Sequence, residues 1–315
     1  MKILVFGAGV IGTTYAWQLQ EAGHDITLFV RKQRMVRYAH SGVPVNYTDL
    51  RNQAKDYGQS VFRPRVIDRL DAKDPFDLII VSVRSNQWSD ALPYIAKHGG
   101  HADILLLGNI WEEVKSVRKI FPAGKCFFGF PGTVIGSPTE NGINCHLFNK
   151  GHTMLGEPDK KVTERLKKTA ELLDSAGLSP KIVNHIKDWL PTRYLISAIQ
   201  PTLINKAGGA RLFASNKMLI RQYISALKEG QKVCRKKGVK SVNLFPFSRF
   251  FLPGFLLTPL IRRQFSDEVV AALDNHMKHA AAEKKKQYYD VFHTGKRLRV
   301  RMPYWRSFEK YLDFS

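Results

Sequence analysis

Apolar residues in the first half of the chain fall in short uninterrupted runs. Ile3-Leu4-Val5-Phe6, Ile26-Thr27-Leu28-Phe29-Val30, Leu78-Ile79-Ile80-Val81-Ser82-Val83 and Ile104-Leu105-Leu106-Leu107 each read as a strand covered on both faces. Between the first two, Tyr15, Leu19 and Ala22 recur at helical spacing and Gly23 closes the helix. Residues 87–96 read as a further helix. Strands alternating with helices predict a parallel, doubly wound α/β sheet. From 126 to 155 the texture changes to short segments broken by Gly129, Pro131-Gly132, Gly136, Pro138 and Asn141-Gly142. That pattern predicts hairpins that add antiparallel strands to the same sheet. An amphipathic helix over 162–173 and a last strand at 181–183 complete the half.

Beyond residue 184 the strand signals fade. Stretches 189–204, 218–237, 268–290 and 304–312 all carry helical periodicity. The expected organisation is an α/β domain over 1–184 and an all-helical domain over 185–315, with ligand held in a cleft between them. A length of 315 residues supports two domains, and 44% hydrophobic residues exclude a disordered chain. No run of uncharged apolar residues approaches the roughly 18 needed to span a bilayer. The glycines sit too early, and no small-residue cleavage site follows, for residues 1–12 to be a signal peptide. Three scattered cysteines form neither a metal spacing nor a disulfide framework, which points to a reducing, cytoplasmic compartment. The charge of +22 is uneven: 18 basic and 13 acidic side chains lie in 1–150, against 31 and 14 in 151–315. A basic second half attracts anions, whether nucleic acid, membrane or a phosphorylated cofactor with a carboxylate substrate.

Gly7-Ala8-Gly9-Val10-Ile11-Gly12 follows the first strand and opens the first helix, the setting in which this spacing binds a pyrophosphate. The first glycine permits the tight turn, the second lets backbone approach phosphate, and the third lets helix lie close on strand. The helix start at Val10 and Ile11 offers free N–H groups and a favourable dipole. Together these define a Rossmann-type domain. A site for NAD places an acid at the end of the second strand; here Val30 is followed by Arg31, Lys32 and, two residues on, Arg34. Arg31 has the planar donor fork to grip a 2′-phosphate, so the expected cofactor is NADP(H).

With these residues in place the chain resembles the ketopantoate reductase (2-dehydropantoate 2-reductase) family. The resemblance runs through Lys2-Ile3 to Gly12, Arg31, Val81-Ser82-Val83-Arg84-Ser85-Asn86-Gln87 and Leu107-Gly108-Asn109. It implies a reductase of a 2-oxo acid, ketopantoate or similar, using NADPH in pantothenate biosynthesis. It further implies a helical domain for substrate and homodimer contacts. Arg84 stands at the family's lysine near the nicotinamide, Gln87 and Asn109 match its glutamine and asparagine, and Ile110 replaces the following glycine. The family's catalytic lysine falls on Thr192 and its two asparagines on Ile196 and Gln200, with Pro201 retained. The neighbourhood of His276 falls opposite the family's serines, and Tyr289 or Asp290 opposite its substrate-binding glutamate.

Reduction of a 2-oxo acid needs a proton donor and a group that holds the carboxylate. Lys187 is one candidate donor. His276 is another: His276, His279 and Glu283 fall at i, i+3 and i+7, one face of a single predicted helix. A histidine poised by a carboxylate is a competent acid near neutral pH. The same three could hold a metal, but no further ligand is identifiable and no metal is expected. Asn109, past the end of a parallel strand, is placed to hold nicotinamide ribose or substrate carbonyl, and Arg84 to hold cofactor or carboxylate. Phe245, Phe247, Phe250, Phe251 and Phe255, broken by Pro246, Pro253 and Pro259, read as a packed loop, a lid or a subunit contact rather than a membrane element. The basic run from Gly295 to Arg301 lacks interleaved aromatics, so no nucleic-acid partner is expected. A cofactor-binding sensor that has lost catalysis is the alternative to a reductase.

Overall fold

The computed structural model describes residues 1–52, 56–71, 73–112, 114–122, 124–148, 151–240, 244, 248, 254–265, 269, 270, 272–274 and 279–313. The chain divides into two units, Met1–Ile186 and Lys187–Ser315.

In the first unit the apolar runs become the central strands of an eight-stranded sheet. They are β1 (Lys2–Phe6), β2 (Asp25–Phe29), β6 (Leu78–Val81) and β7 (Asp103–Leu107). Ile3, Leu4, Val5, Ile79, Ile80 and Val81 have no exposed surface, as strands covered on both faces require. The helices of this layer are α1 (Val10–Glu21), α2 (Lys32–Ser41), α3 (Trp88–His98), α4 (Val114–Ile120) and α5 (Glu164–Ser175). The strand order is β12-β11-β8-β7-β6-β1-β2-β5, with β5 (Arg65–Ile67), β8 (Cys126–Pro131), β11 (Thr153–Gly156) and β12 (Pro180–Ile182) outside the central four. Pairing is parallel except between β8 and β11. This is the doubly wound fold that the alternation predicts.

The 126–155 stretch departs from expectation. Only β11 is an antiparallel addition to the main sheet, whereas β8 pairs parallel to β7. The strands between them, β9 (Val134–Pro138) and β10 (Ile143–Phe148), leave to form a second sheet with β3 (Val43–Leu50) and β4 (Asp56–Phe62), in the order β4-β3-β10-β9. The second sheet has one dry face. Ile143, Cys145 and Leu147 are buried while Asn144, His146 and Phe148 between them are half-buried. With Val43, Val45 and Phe62 they join the core formed by Tyr15, Ala16, Trp17 and Leu19 of α1. Covered on both sides, α1 has every residue from Gly12 to Leu19 buried, the polar Thr13, Thr14 and Gln18 included.

Two buried polar knots tie the unit together. The Tyr15 hydroxyl lies 2.5 Å from Thr153 Oγ1, which donates to the Leu178 carbonyl at 2.7 Å, and burial pushes the phenol up to about 12. Glu157, 3% exposed, accepts from Arg165 Nε at 2.7 Å, Arg165 Nη2 at 2.6 Å and Thr163 Oγ1 at 2.7 Å. Arg165 also reaches Asp103 at 3.1 Å and the Gly124 carbonyl, and its guanidinium lies over the Phe127 ring.

The second unit contains no strand among the described residues. Its helices are α6 (Ile186–Ala207), α7 (Ala210–Ser215), α8 (Lys217–Lys236), α9 (Gly254–Arg262), α10 (Ala281–Arg297) and α11 (Pro303–Phe308), α6 starting on the last residue of the first unit. Asn216 caps α8, its side chain accepting from Met218 and Leu219 N–H at 3.0 Å each. Trp305 is fully buried and donates to the Ala226 carbonyl at 2.8 Å. The Glu229 carboxylate caps α11 by accepting from Tyr304 and Trp305 N–H, both at 3.2 Å. The helix expected over 268–290 is interrupted and runs further: residues 269, 270, 272–274 and 279 are helical, and a separate helix follows. Ala280 leaves the helical range at φ −119° and ψ 15°, and α10 runs on from Ala281 to Arg297. Arg299 then takes a left-handed conformation at φ 53°, which costs a residue with a β carbon roughly 1–2 kcal/mol.

Candidate active site

The strand order reverses beside β1: β2 lies on one side and β6, reached later in the chain, on the other. In sheets of this kind the crevice at the carboxyl ends of such strands is where ligands bind. The glycine turn occupies that point. Gly7 sits at φ 118°, its N–H donating to the Phe29 carbonyl at 3.3 Å. A β carbon on Gly12 would lie 2.0 Å from the Gly7 carbonyl oxygen and 2.2 Å from Ser82 Oγ, so helix and strand approach as only glycine allows. At Gly9, exposed at the helix start, a β carbon would meet nothing within 4 Å. The first intrahelical bond runs from Thr13 N–H to the Gly9 carbonyl at 2.8 Å, so the N–H groups of Val10 and Ile11 have no acceptor within the helix. An open cradle under free donors fits a phosphate.

The other candidates of the first unit surround this turn. Arg31 directly precedes α2 beyond the end of β2 and is exposed with Lys32 and Arg34. Arg34 Nη1 reaches the Ala8 carbonyl at 3.4 Å, tying the basic segment to the glycine turn. After β6, Arg84 precedes a short 3-10 turn that Gln87 ends, Arg84 exposed and Gln87 half-buried. Asn109, half-buried, lies two residues past β7, followed by the fully buried Ile110. Gly7, Gly9, Val10, Ile11, Gly12, Arg31, Arg84, Gln87 and Asn109 therefore all follow the carboxyl ends of four adjacent strands, in the order β7-β6-β1-β2. Sequence reading gave no role to Ser82, whose Oγ donates to the Gly7 carbonyl at 3.0 Å and holds the turn onto β6. The small residue inside the apolar run 78–83 was the available signal.

In the helical unit, Lys187 is half-buried in the first turn of α6. Thr192, at the position of the family's lysine, is fully buried and donates to the Trp189 carbonyl at 2.7 Å, so its hydroxyl is committed to its own helix. Arg193 is half-buried, donates to Ser197 Oγ at 3.1 Å, and is drawn down to about 10 by burial. It remains a fixed cation at neutral pH. Asp290 accepts from the Tyr194 hydroxyl at 2.5 Å and from Lys286 at 2.6 Å. His276 lies outside the described residues, as do Phe245, Phe247, Phe250 and Phe251. Ala280 separates His279 from Glu283, so these two do not share one unbroken helix, and Glu283 Oε1 accepts from Gln287 at 3.0 Å on α10. Among the described residues no group of three or more His, Cys, Asp or Glu could hold a metal. Cys126, Cys145 and Cys234 are buried, and burial pushes their thiols up to about 11, 11 and 12, which makes them poor nucleophiles.

A family model described as Ketopantoate reductase PanE/ApbA matches residues 3–160, half of the chain. The chain belongs to the ketopantoate reductase family. It is similar to the 2-dehydropantoate 2-reductase of Pyrococcus abyssi, at 25% identity over 262 residues covering 80% of this chain and 79% of that one. To the enzyme of the same name from Pyrococcus horikoshii it is 26% identical over 250 residues, covering 76% and 75%. Among solved structures, the 2-dehydropantoate 2-reductase of Geobacter metallireducens shares the fold with a TM-score of 0.74 at 16% identity, covering 99% of both chains. D-mandelate dehydrogenase, solved with NADH and anilino(oxo)acetate, shares it with the same TM-score and identity over 99% of this chain and 97% of that one. As a ketopantoate reductase family member the protein is an oxidoreductase. None of its described helices is long and apolar enough to cross a membrane.

Proposed function

We propose that this chain is an NADP(H)-dependent reductase that converts a small 2-oxo acid, ketopantoate or a close analogue, to the 2-hydroxy acid. The observation that carries the reading is the glycine cradle at Gly9 beside an exposed Arg31, with no acid at the end of β2. Gly7, Gly9 and Gly12 leave room for the pyrophosphate, which Val10 and Ile11 hold through their N–H groups. Arg31 takes the 2′-phosphate. Arg84, Gln87 and Asn109, at the ends of the next two strands, position the nicotinamide ribose and the substrate's carbonyl and carboxylate. Bound reduced nicotinamide supplies the hydride.

The carbonyl oxygen needs a proton as charge develops on it. Thr192 has its hydroxyl committed to the Trp189 carbonyl, which leaves Lys187 and His276 as the donors. The names of the Pyrococcus relatives favour ketopantoate as the first substrate to test. The 2-oxo-acid class also accords with the oxo-acid analogue in the D-mandelate dehydrogenase structure. That neighbour was solved with NADH, so the choice of NADP here rests on Arg31 and on the lack of an acid at the end of β2.

The test is NADPH oxidation by the purified protein with ketopantoate and a panel of 2-oxo acids. Turnover is expected with at least one, and its kcat should fall at least about 100-fold in one of Lys187→Ala and His276→Ala, the loss typical of a general acid. Arg31→Asp should raise KM for NADPH by on the order of 100-fold while improving use of NADH. Tight NADPH binding without turnover on any member overturns the reductase reading.

A further inference from the structure

The basic run Gly295 to Arg301 has no part in the proposed reaction, yet the fold builds something from it. The last turn of α8 and the connection from α10 to α11 border an open groove of about 420 Å³, lined by Lys232, Arg235, Lys236, Arg299, Val300 and Arg301. Five of the six are cations and all five are exposed. None of them forms an ion pair with any described residue. Glu229, one turn before Lys232, is buried, and both its oxygens are occupied by the Tyr304 and Trp305 N–H groups.

The groove is held in shape by the core beneath it. A β carbon on Gly295 would lie 2.1 Å from Met302 Sδ and 3.2 Å from Val233, so α10 meets α8 and the connection closely there. The chain then closes α10 with Val300 N–H donating to the Gly295 carbonyl at 2.9 Å and Arg299 N–H to the Lys296 carbonyl at 3.0 Å. That closure puts Arg299 at the left-handed position where glycine is the usual residue, and a guanidinium stands there instead. Lys236 Nζ donates to the Leu298 carbonyl at 2.9 Å, fastening the turn to α8.

We propose that this groove is a binding site for a small molecule carrying two or more adjacent phosphate groups, separate from the dinucleotide site of the first unit. Two features select that class. Five converging cations, among the described residues none in an ion pair and only Lys232 influenced by a nearby carboxylate, that of Glu229, match several anionic oxygens at short range, and the guanidinium forks of Arg235, Arg299 and Arg301 suit phosphate geometry. The volume is that of a small-molecule site, and the lining has no aromatic ring on which a nucleic-acid base could stack.

Inorganic tripolyphosphate, titrated calorimetrically into the whole chain at low salt with and without saturating NADPH, tests this. The expected result is one site per chain that persists when NADPH fills the glycine cradle, weakened as salt is raised. Arg235→Ala and Arg299→Gly should each weaken it by about tenfold, the loss of one charge-assisted contact. Arg299→Gly is the informative variant, because glycine suits the left-handed turn: its melting temperature should hold or rise while binding falls. Arg31→Ala should leave the groove's affinity unchanged. Binding that is absent at millimolar tripolyphosphate, or insensitive to both groove variants, overturns the proposal. So does tighter capture of oligothymidylate or phosphatidylserine vesicles by the same residues, which would make the groove a nucleic-acid or membrane surface.

Discussion

Gly12→Val is expected to abolish NADPH binding and to destabilise the first unit by at least about 3 kcal/mol, the upper range for forcing atoms into a packed site. Even the first added carbon would sit 2.0 Å from the Gly7 oxygen and 2.2 Å from Ser82 Oγ. Neither neighbour can yield cheaply. Gly7 is fixed through its N–H to the Phe29 carbonyl and through its own carbonyl to Ser82, and its φ of 118° is open only to glycine. The helix must therefore lift off the strand, carrying the Val10 and Ile11 donors out of line. Gly9→Ala separates binding from stability. A methyl there meets nothing within 4 Å, and φ is an ordinary −85°, so unfolding should be unchanged. The methyl takes the space where phosphate approaches, and affinity should drop about tenfold or more, as for a lost charge-assisted hydrogen bond. Fluorescence titration of NADPH with urea unfolding of both variants checks this. An unchanged affinity in Gly9→Ala would mean the phosphates lie elsewhere.

The second large effect lies away from the site. Arg165→Met should cost about 3–5 kcal/mol, because it strands the buried Glu157 carboxylate without its cation. Glu157 is 3% exposed and receives two of its three hydrogen bonds from that guanidinium. Asp103, the other acid, is 42% exposed and water can replace the arginine there. The double variant Arg165→Met, Glu157→Gln should recover much of the loss, since a neutral amide tolerates burial better than an orphaned carboxylate. Urea unfolding of the three variants measures it. A loss below about 1 kcal/mol in the single variant would place the pair in the class of exposed ion pairs.

What the sequence made legible follows from where the signals are local. The four central strands are legible because both faces are covered, so each is a continuous apolar run. The glycine turn is legible because its three glycines answer three steric demands within six residues. The second sheet is not, because its strands alternate: Val43 and Val45 face the core while Asn46 and Thr48 are only half-buried, and Tyr57 is 63% exposed. Such alternation in strands that also contain Pro44 and Gly58 resembles loop. The pairing of β10 with β3, which joins Ile143 to Val45 across nearly 100 residues, leaves no local trace at all. Ala280 misled for the opposite reason: alanine is the best helix former, and nothing in the sequence around it announces that the helical conformation breaks there, between His279 and Ala281. Ser82 was invisible as a site residue because its role depends on β6 lying beside β1.

The proposed function puts NADP in the crevice beside β1, held through Arg31. It is tested most directly by titrating NADPH and NADH into the purified protein under identical salt. Saturable binding of both is expected, with NADPH tighter by on the order of 100-fold through a charge-assisted fork on its 2′-phosphate. Equal affinities, or a preference for NADH, would contradict it.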